Sequence, residues 1–292
     1  MTDVPRIAID VRNLLGEGII WYAARDQLLW CDIYRKCVYL AAPDGSAVTA
    51  FGIGDYVAAE FIVDYDIALV ATGSGLLSLD LTSGETQTVA EIEADQTDTR
   101  PNDCRAAPGG SLWFSTMGHN SDEGLAKIYH VRGGTVTPIF ENMECPNSIC
   151  FSPAGDRAYF GNTFDHRIMT CTTDPATGLP TGDAEVFTDL SEEGAYPDGA
   201  VVDSEGAVWC AHWGAGRVAL YRPDGSFDRA IDIPAPRTTC PCLGGKDLKT
   251  LFVTTMFGWM APDELANNPL SGAVFAIDVD VPGLPERTVS VG

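Results

Sequence analysis

Four side chains carrying oxygen donors open segments that look alike. Glu17 precedes Gly18-Ile19-Ile20-Trp21, Asn102 precedes Asp103-Cys104, Asn147 precedes Ser148-Ile149-Cys150-Phe151, and Asp198 precedes Gly199-Ala200-Val201-Val202. Asn and Asp are ordinary turn residues, but each of these leads within a few positions into an apolar run that heads for a core. Two carboxylates and two carboxamides gathered and buried together would be costly without a compensating charge. A bound cation removes that cost; a hydrogen-bonded polar plug is the alternative. Oxygen ligation by Glu, Asp and Asn suits Ca²⁺, Mg²⁺ or Mn²⁺, with Fe²⁺ and Zn²⁺ also accommodated. A cation held by few protein ligands keeps positions open for water and substrate, as a catalytic centre does and a closed structural one does not.

The elements that must gather these residues are read from an internal repeat. After each opening segment come a Gly/Asp turn and an apolar-aromatic run: Ala24-Arg25-Asp26 then Leu28-Leu29-Trp30, Pro108-Gly109-Gly110 then Leu112-Trp113-Phe114, Ser204-Glu205-Gly206 then Val208-Trp209-Cys210. Further copies start at Cys240-Pro241-Cys242-Leu243 and, more weakly, near Ala59. Asn102 to Asn147 is 45 residues, Asn147 to Asp198 is 51, Asp198 to Cys240 is 42, and Glu17 to Asn102 is 85, or two units. Six units of four short strands predict an all-β fold, one six-bladed β-propeller spanning 1–292, because a blade buries both its faces only by stacking on neighbours. A pair of β-sandwiches or a β-solenoid fits the spacing less well. Ile7-Ala8-Ile9 is expected to complete the last blade beside Ala273-Val274-Phe275-Ala276-Ile277, closing the ring. The first strand of each blade then lines the axis, which brings Glu17, the Ala59 region, Asn102, Asn147, Asp198 and Cys240 to one mouth.

Composition excludes several classes of function. Forty-one acidic against 18 basic residues, a net charge of −23, oppose binding to nucleic acid or anionic lipid, and no basic cluster exists to receive a phosphorylated substrate. A neutral small molecule is the expected partner. No apolar run approaches a membrane span and no signal peptide is visible, so the expected compartment is the cytoplasm. The nine cysteines are scattered singly and read as buried thiols, Cys240 and Cys242 included. There is no phosphate-binding Gly loop, nucleophile elbow or HExxH motif, and His130, His166 and His212 read as structural.

Six motifs in blade order resemble the senescence-marker/gluconolactonase/luciferin-regenerating family, in its sugar-lactonase branch of bacterial xylonolactonases and arabinonolactonases. They are Leu15-Gly16-Glu17-Gly18 with Trp21, Arg100-Pro101-Asn102-Asp103, Trp113-Phe114-Ser115-Thr116-Met117, Asn147 before Ser152-Pro153, Tyr196-Pro197-Asp198-Gly199 and Cys242-Leu243-Gly244-Gly245. The resemblance implies that Glu17, Asn147 and Asp198 hold one divalent cation, that Arg100 and Asn102 contact substrate, and that Asp198 also serves as catalytic base. It implies metal-dependent hydrolysis of a sugar lactone, a pentono- or gluconolactone, by a monomer or weak oligomer. One departure stands out: after Met117, where many relatives carry an acidic sugar-binding residue, this chain has Gly118-His119-Asn120. His119 is a candidate sugar contact there, with a solvated loop histidine as the alternative. Competing readings on the same scaffold are a calcium-binding regulatory protein and a metal-dependent esterase or phosphotriesterase, the latter with Trp213, Met256 and Phe257 lining an apolar pocket. The WD-repeat class lacks a convergent acidic axis, and its Gly-His and Trp-Asp signatures are missing here.

Overall fold

Each repeat becomes one four-stranded antiparallel sheet in a computed structural model that describes residues 4–290. Blade 1 runs Gly16–Tyr22, Gln27–Asp32, Cys37–Ala41 and Thr49–Gly52. The inner strands of the other blades are Val57–Ile62, Thr99–Ala106, Pro146–Phe151, Tyr196–Val202 and Thr238–Gly244. Each packs against the next, and Thr238–Gly244 returns to Gly16–Tyr22, so six inner strands ring one axis as a six-bladed β-propeller. Arg6–Ile9 pairs antiparallel with Val274–Asp278, Ile7 opposite Phe275, and completes blade 6 as the sequence predicts.

The core lies between blades, which is why the inner strands are apolar on both faces. Ile20, Tyr22 and Leu29 of blade 1 meet Val57, Ala68 and Val70 of blade 2 in one cluster. On blade 1's other face Ile19, Trp21 and Trp30 meet Cys240, Phe252 and Val274 of blade 6. Trp30, Trp113 and Trp209 lie on the second strands of blades 1, 3 and 5 and are fully buried. Large side chains buried this way contribute about 1.5–3 kcal/mol each. Their indole N–H groups donate to Asn13 Oδ1 at 3.1 Å, Gly178 O at 2.9 Å and Asp203 Oδ2 at 3.0 Å, so no donor is stranded.

Local chemistry also sets the turns. In Asp44-Gly45-Ser46 and Asp224-Gly225-Ser226 the Asp Oδ1 accepts the Ser amide at 2.9 and 3.0 Å, and the glycines sit at φ 79° and 85°. A Cβ on Gly225 would lie 1.9 Å from Phe187 O, so only glycine fits.

Beyond blade 6, residues 280–290 cross the end of the propeller where the inner strands finish. Gly283 N donates to Leu248 O, Val289 N to Ile62 O and Ser290 N to Gly110 O at 2.8, 2.9 and 3.0 Å, and Pro282 O accepts from Ser204 N at 2.9 Å. Arg287 Nη2 adds a bond to Ser152 O at 3.1 Å. The segment thereby touches blades 2 to 6 and closes one mouth of the axis. The α-helix Pro262–Asn267 follows the second strand of blade 6, and no helix among the described residues is long and apolar enough to cross a membrane.

Candidate active site

The open mouth is shaped by irregularities in the inner strands. Register with the second strand slips between Glu17 and Ile20, Pro101 and Cys104, Asn147 and Cys150, Pro197 and Ala200, and Thr238 and Pro241. Such an extra residue bends the strand and re-aims a side chain. The residue after each oxygen donor then faces the neighbouring blade. Gly18, at φ 65°, leaves no room for a Cβ, which would lie 2.8 Å from Ala58 O. Asp103 Oδ2 accepts Ile149 N at 2.6 Å, and Ser148, at φ 58°, donates Oγ to Asp198 O at 2.6 Å. The bulge thus serves the blade-to-blade seam and the mouth together.

Glu17, Arg100, Asn102, His119, Asn147 and Asp198 all line one cavity of about 180 Å³ at that mouth. Its remaining walls include Tyr34, Met117, Phe164, Trp213, Met256 and Trp259. The floor is polar and the walls are apolar.

A relay of hydrogen bonds fixes the amides. Arg100 Nη1 donates to Pro101 O at 2.8 Å and Asn102 Oδ1 at 2.9 Å; Asn102 Nδ2 donates to Pro146 O at 2.8 Å and Asn147 Oδ1 at 3.2 Å. Asn147 Nδ2 donates to Thr163 Oγ1 at 2.8 Å, and that hydroxyl donates to Pro197 O at 2.8 Å. The Asn147 amide nitrogen is therefore engaged by Thr163, which turns its oxygen toward Asn102 and the cavity. Arg100 Nε is buried without a partner.

The carboxylates are held at a cost. Burial pushes Glu17 well above the usual carboxylate range, and the charges of Asp198 and Asp103 push it further against the Gly18 amide and Arg100. Burial likewise raises Asp198, with Asp103 adding to it and the Gly199 amide and Arg100 opposing. One guanidinium does not neutralise this set. The donor chemistry, two desolvated carboxylates and an oriented amide oxygen, fits a divalent cation. Among the described residues no three His, Cys, Asp or Glu side chains form a metal cluster; the third oxygen donor beside Glu17 and Asp198 in this cavity is the Asn147 amide.

The blades without a donor in the sequence reading differ from one another. In blade 6 Thr239 Oγ1 donates to Gly16 O at 2.6 Å and ties the ring shut. Blade 2 holds a carboxylate after all: Glu60, one residue past Ala59, is buried with both oxygens unpartnered, and burial drives it toward the neutral acid. A lone charge in Val57-Ala58-Ala59-Glu60-Phe61-Ile62 was the available signal. Thr163, Tyr34 and Trp259 had none, since each lies on a connection far from the motifs. Trp213 and Met256 line the cavity, whereas Phe257 does not; it packs under Arg12, whose guanidinium carbon lies 5.3 Å from its ring centroid. His130 and His166 each pair with a backbone carbonyl at 2.8 Å, and His212 pairs with Tyr221 and Arg217, all outside the cavity.

The sequence profile of one family, described as SMP-30/Gluconolactonase/LRE-like region, matches residues 15–257, a span that contains all six of these cavity residues. A candidate sugar lactone lactonase of Rhizobium meliloti (strain 1021) is 37% identical over 76% of this chain and 75% of its own length. An L-arabinolactonase of Azospirillum brasilense is 30% identical over 91% and 89%. The solved structure of a calcium-binding protein, regucalcin, from Agrobacterium tumefaciens str. C58 superposes with a TM-score of 0.96 at 35% identity, covering 98% of this chain and 97% of the other.

Proposed function

Because the chain belongs to the SMP-30/gluconolactonase/LRE-like family, we propose that it hydrolyses the ring ester of a sugar lactone, a pentono- or gluconolactone, to the open aldonic acid. One divalent cation would be held by Glu17, Asn147 and Asp198. The observation that carries this reading is the pair of buried, mutually repelling carboxylates facing a cavity beside an amide oxygen held in place by Thr163.

A divalent cation bound there supplies Lewis acidity toward a carbonyl oxygen and a water. Asp198 would orient the attacking water and accept its proton; a cation held beside it would keep the carboxylate ionised but weakly basic, which would leave orientation the larger share of its role. Arg100 brings its guanidinium charge to the cavity wall, where it favours the charge that develops on a substrate oxygen as the ester carbonyl is attacked. Asn102 spends its oxygen on Arg100 and its Nδ2 on Pro146 and Asn147, so it aligns both neighbours as well as facing substrate. His119 lies at the wall with its ring 5.1 Å from that of Tyr56, and in this reading it meets a sugar hydroxyl. Trp213 and Met256 keep bulk water from the floor. The charge balance suits a neutral substrate, and nine unbonded, buried thiols suit a reducing cytoplasm.

The test is proton release from five- and six-carbon lactones of both ring sizes, first after chelation and then with Ca²⁺, Mg²⁺, Mn²⁺ or Zn²⁺ added. Turnover restored by a cation is expected. Full activity in the chelated protein would sink the cation's role, and calcium binding with no lactone hydrolysed would leave a cation-binding protein instead. The apolar wall makes an aryl ester the control substrate, since an esterase would prefer it over every lactone.

A further inference from the structure

One tryptophan is out of character with the rest. Trp21, Trp30, Trp113 and Trp209 are buried and Trp213 is partly so, but Trp259 is 66% exposed at the cavity mouth. It also sits at φ 61°, in the left-handed region that a bulky side chain avoids. The loop that holds it there is clamped. Gly258 N donates to Leu14 O at 2.9 Å, and a Cβ on Gly258 would come within 2.6 Å of that same oxygen. Arg237 Nη1 donates to Gly258 O, while its Nη2 takes both oxygens of Glu264 at 3.0 and 3.1 Å. The indole stands edge-on to Tyr34, 5.1 Å between ring centroids at 70°.

A large apolar ring kept in solvent by a strained, anchored backbone is the mark of a functional position. A sugar lactone is itself two-sided: its hydroxyls and carbonyl seek polar partners, and its ring C–H bonds form an apolar face. Within this cavity the polar partners are Arg100, Asn102 and His119 on the floor and near wall; of the two exposed aromatic rings that line it, Phe164 and Trp259, Trp259 is the larger, the more exposed and the one on a strained backbone. We infer that Trp259 is a stacking platform for the C–H face of the lactone ring and that it sets substrate preference, favouring rings whose face toward the indole is unbroken by an axial hydroxyl. This inference rests on the lactonase reading. Stacking of this kind acts on substrate before and during reaction alike, so it governs KM more than kcat.

The experiment compares wild type, Trp259→Ala and Trp259→Phe on the cation-loaded protein, with epimeric lactones that do or do not place a hydroxyl on the stacking face. Trp259→Ala is expected to raise KM for the preferred lactone roughly five- to tenfold, to narrow the preference between epimers, and to leave cation affinity in place. Trp259→Phe should recover most of the loss. The corresponding anhydroalditol, the same ring without its carbonyl, should shift tryptophan emission in wild type and clearly less in Trp259→Phe, where Trp213 is the tryptophan left at the cavity. Wild-type turnover with KM and epimer preference unmoved in Trp259→Ala would overturn the inference and leave the lactonase reading intact. Absence of wild-type turnover on every lactone would overturn that reading, and this inference with it.

Discussion

Strand Thr99–Ala106 carries an arginine near each end of the propeller axis, and the two are treated in opposite ways. Arg105, at the end crossed by residues 280–290, donates Nη2 to Ala200 O at 2.8 Å and faces Glu286 at 3.6 Å, with Asp103 also near. Burial alone would weaken its charge, yet these anions keep it protonated, and burial pushes Asp103 up to about 6 even with the Arg105 charge and the Ile149 and Cys104 amides drawing it down. Arg100, at the open mouth, keeps an N–H without partner beside two carboxylates that exceed its charge. One end is neutralised from within the chain. The other leaves its balance to what binds there.

That contrast is broken or sharpened by four measurements. Glu17→Gln or Asp198→Asn should lower cation-dependent lactone turnover by on the order of 10³-fold and abolish the rise in melting temperature on adding the cation, while the cation-free protein is no less stable than wild type. Proton-release kinetics and a thermal scan with and without chelator read both. Arg105→Ala should do the reverse, costing about 3 kcal/mol in urea unfolding, because it strands buried Asp103; solvent reaches Glu286, which keeps the loss at the low end for a broken buried pair. A larger loss of stability from Arg100→Ala than from Arg105→Ala would erase the distinction between the two ends.

A third way to handle a buried ionisable group is to keep it neutral, and His212 does so. Arg217 Nε donates to its Nδ1 at 3.1 Å, leaving Nε2 to Tyr221 at 2.9 Å. Burial, then the Arg217 charge, lowers its pKa to about 4. The unfolded chain takes up this proton near pH 6.5 and the folded protein only near pH 4, so stability falls as pH drops through that window, by up to about 3 kcal/mol at full effect. Unfolding free energies at pH 7 and pH 4.5 should show a shallower decline for His212→Gln than for wild type. The smallest effect belongs to Thr163→Val, which frees the Asn147 amide to turn: cation affinity should weaken roughly 10- to 30-fold by calorimetry, with little change in fold stability.

The ring was legible because the blades repeat a pattern of apolar strand, turn and apolar-aromatic strand, opened in four of them by an oxygen donor, and because Ile7-Ala8-Ile9 alternates as an outer strand does. The gathering of Glu17, Asn102, Asn147 and Asp198 followed from equivalence between repeats. What escaped was whatever the repeat does not govern. Thr163 reaches Asn147 from a connection after the second strand of blade 4, and nothing in its neighbours marks it. Glu60 hid in the blade with the weakest signature. Met256 and Phe257 both lie past the end of the strand Thr250–Thr255, where strand alternation no longer says which side chain faces the cavity.

The closure of blade 6 also has a consequence in time. Arg6 lies opposite Ala276, so the partner of Arg6–Ile9 is synthesised 270 residues after it. At roughly 5–20 residues per second that is a wait on the order of 10–60 s. Throughout it, the first strand made has no sheet to join, and the growing row of blades presents an uncovered apolar sheet face at each end, the kind of surface that recruits the wrong neighbour. Slow translation and crowding should therefore harm this chain's yield more than its finished stability would suggest.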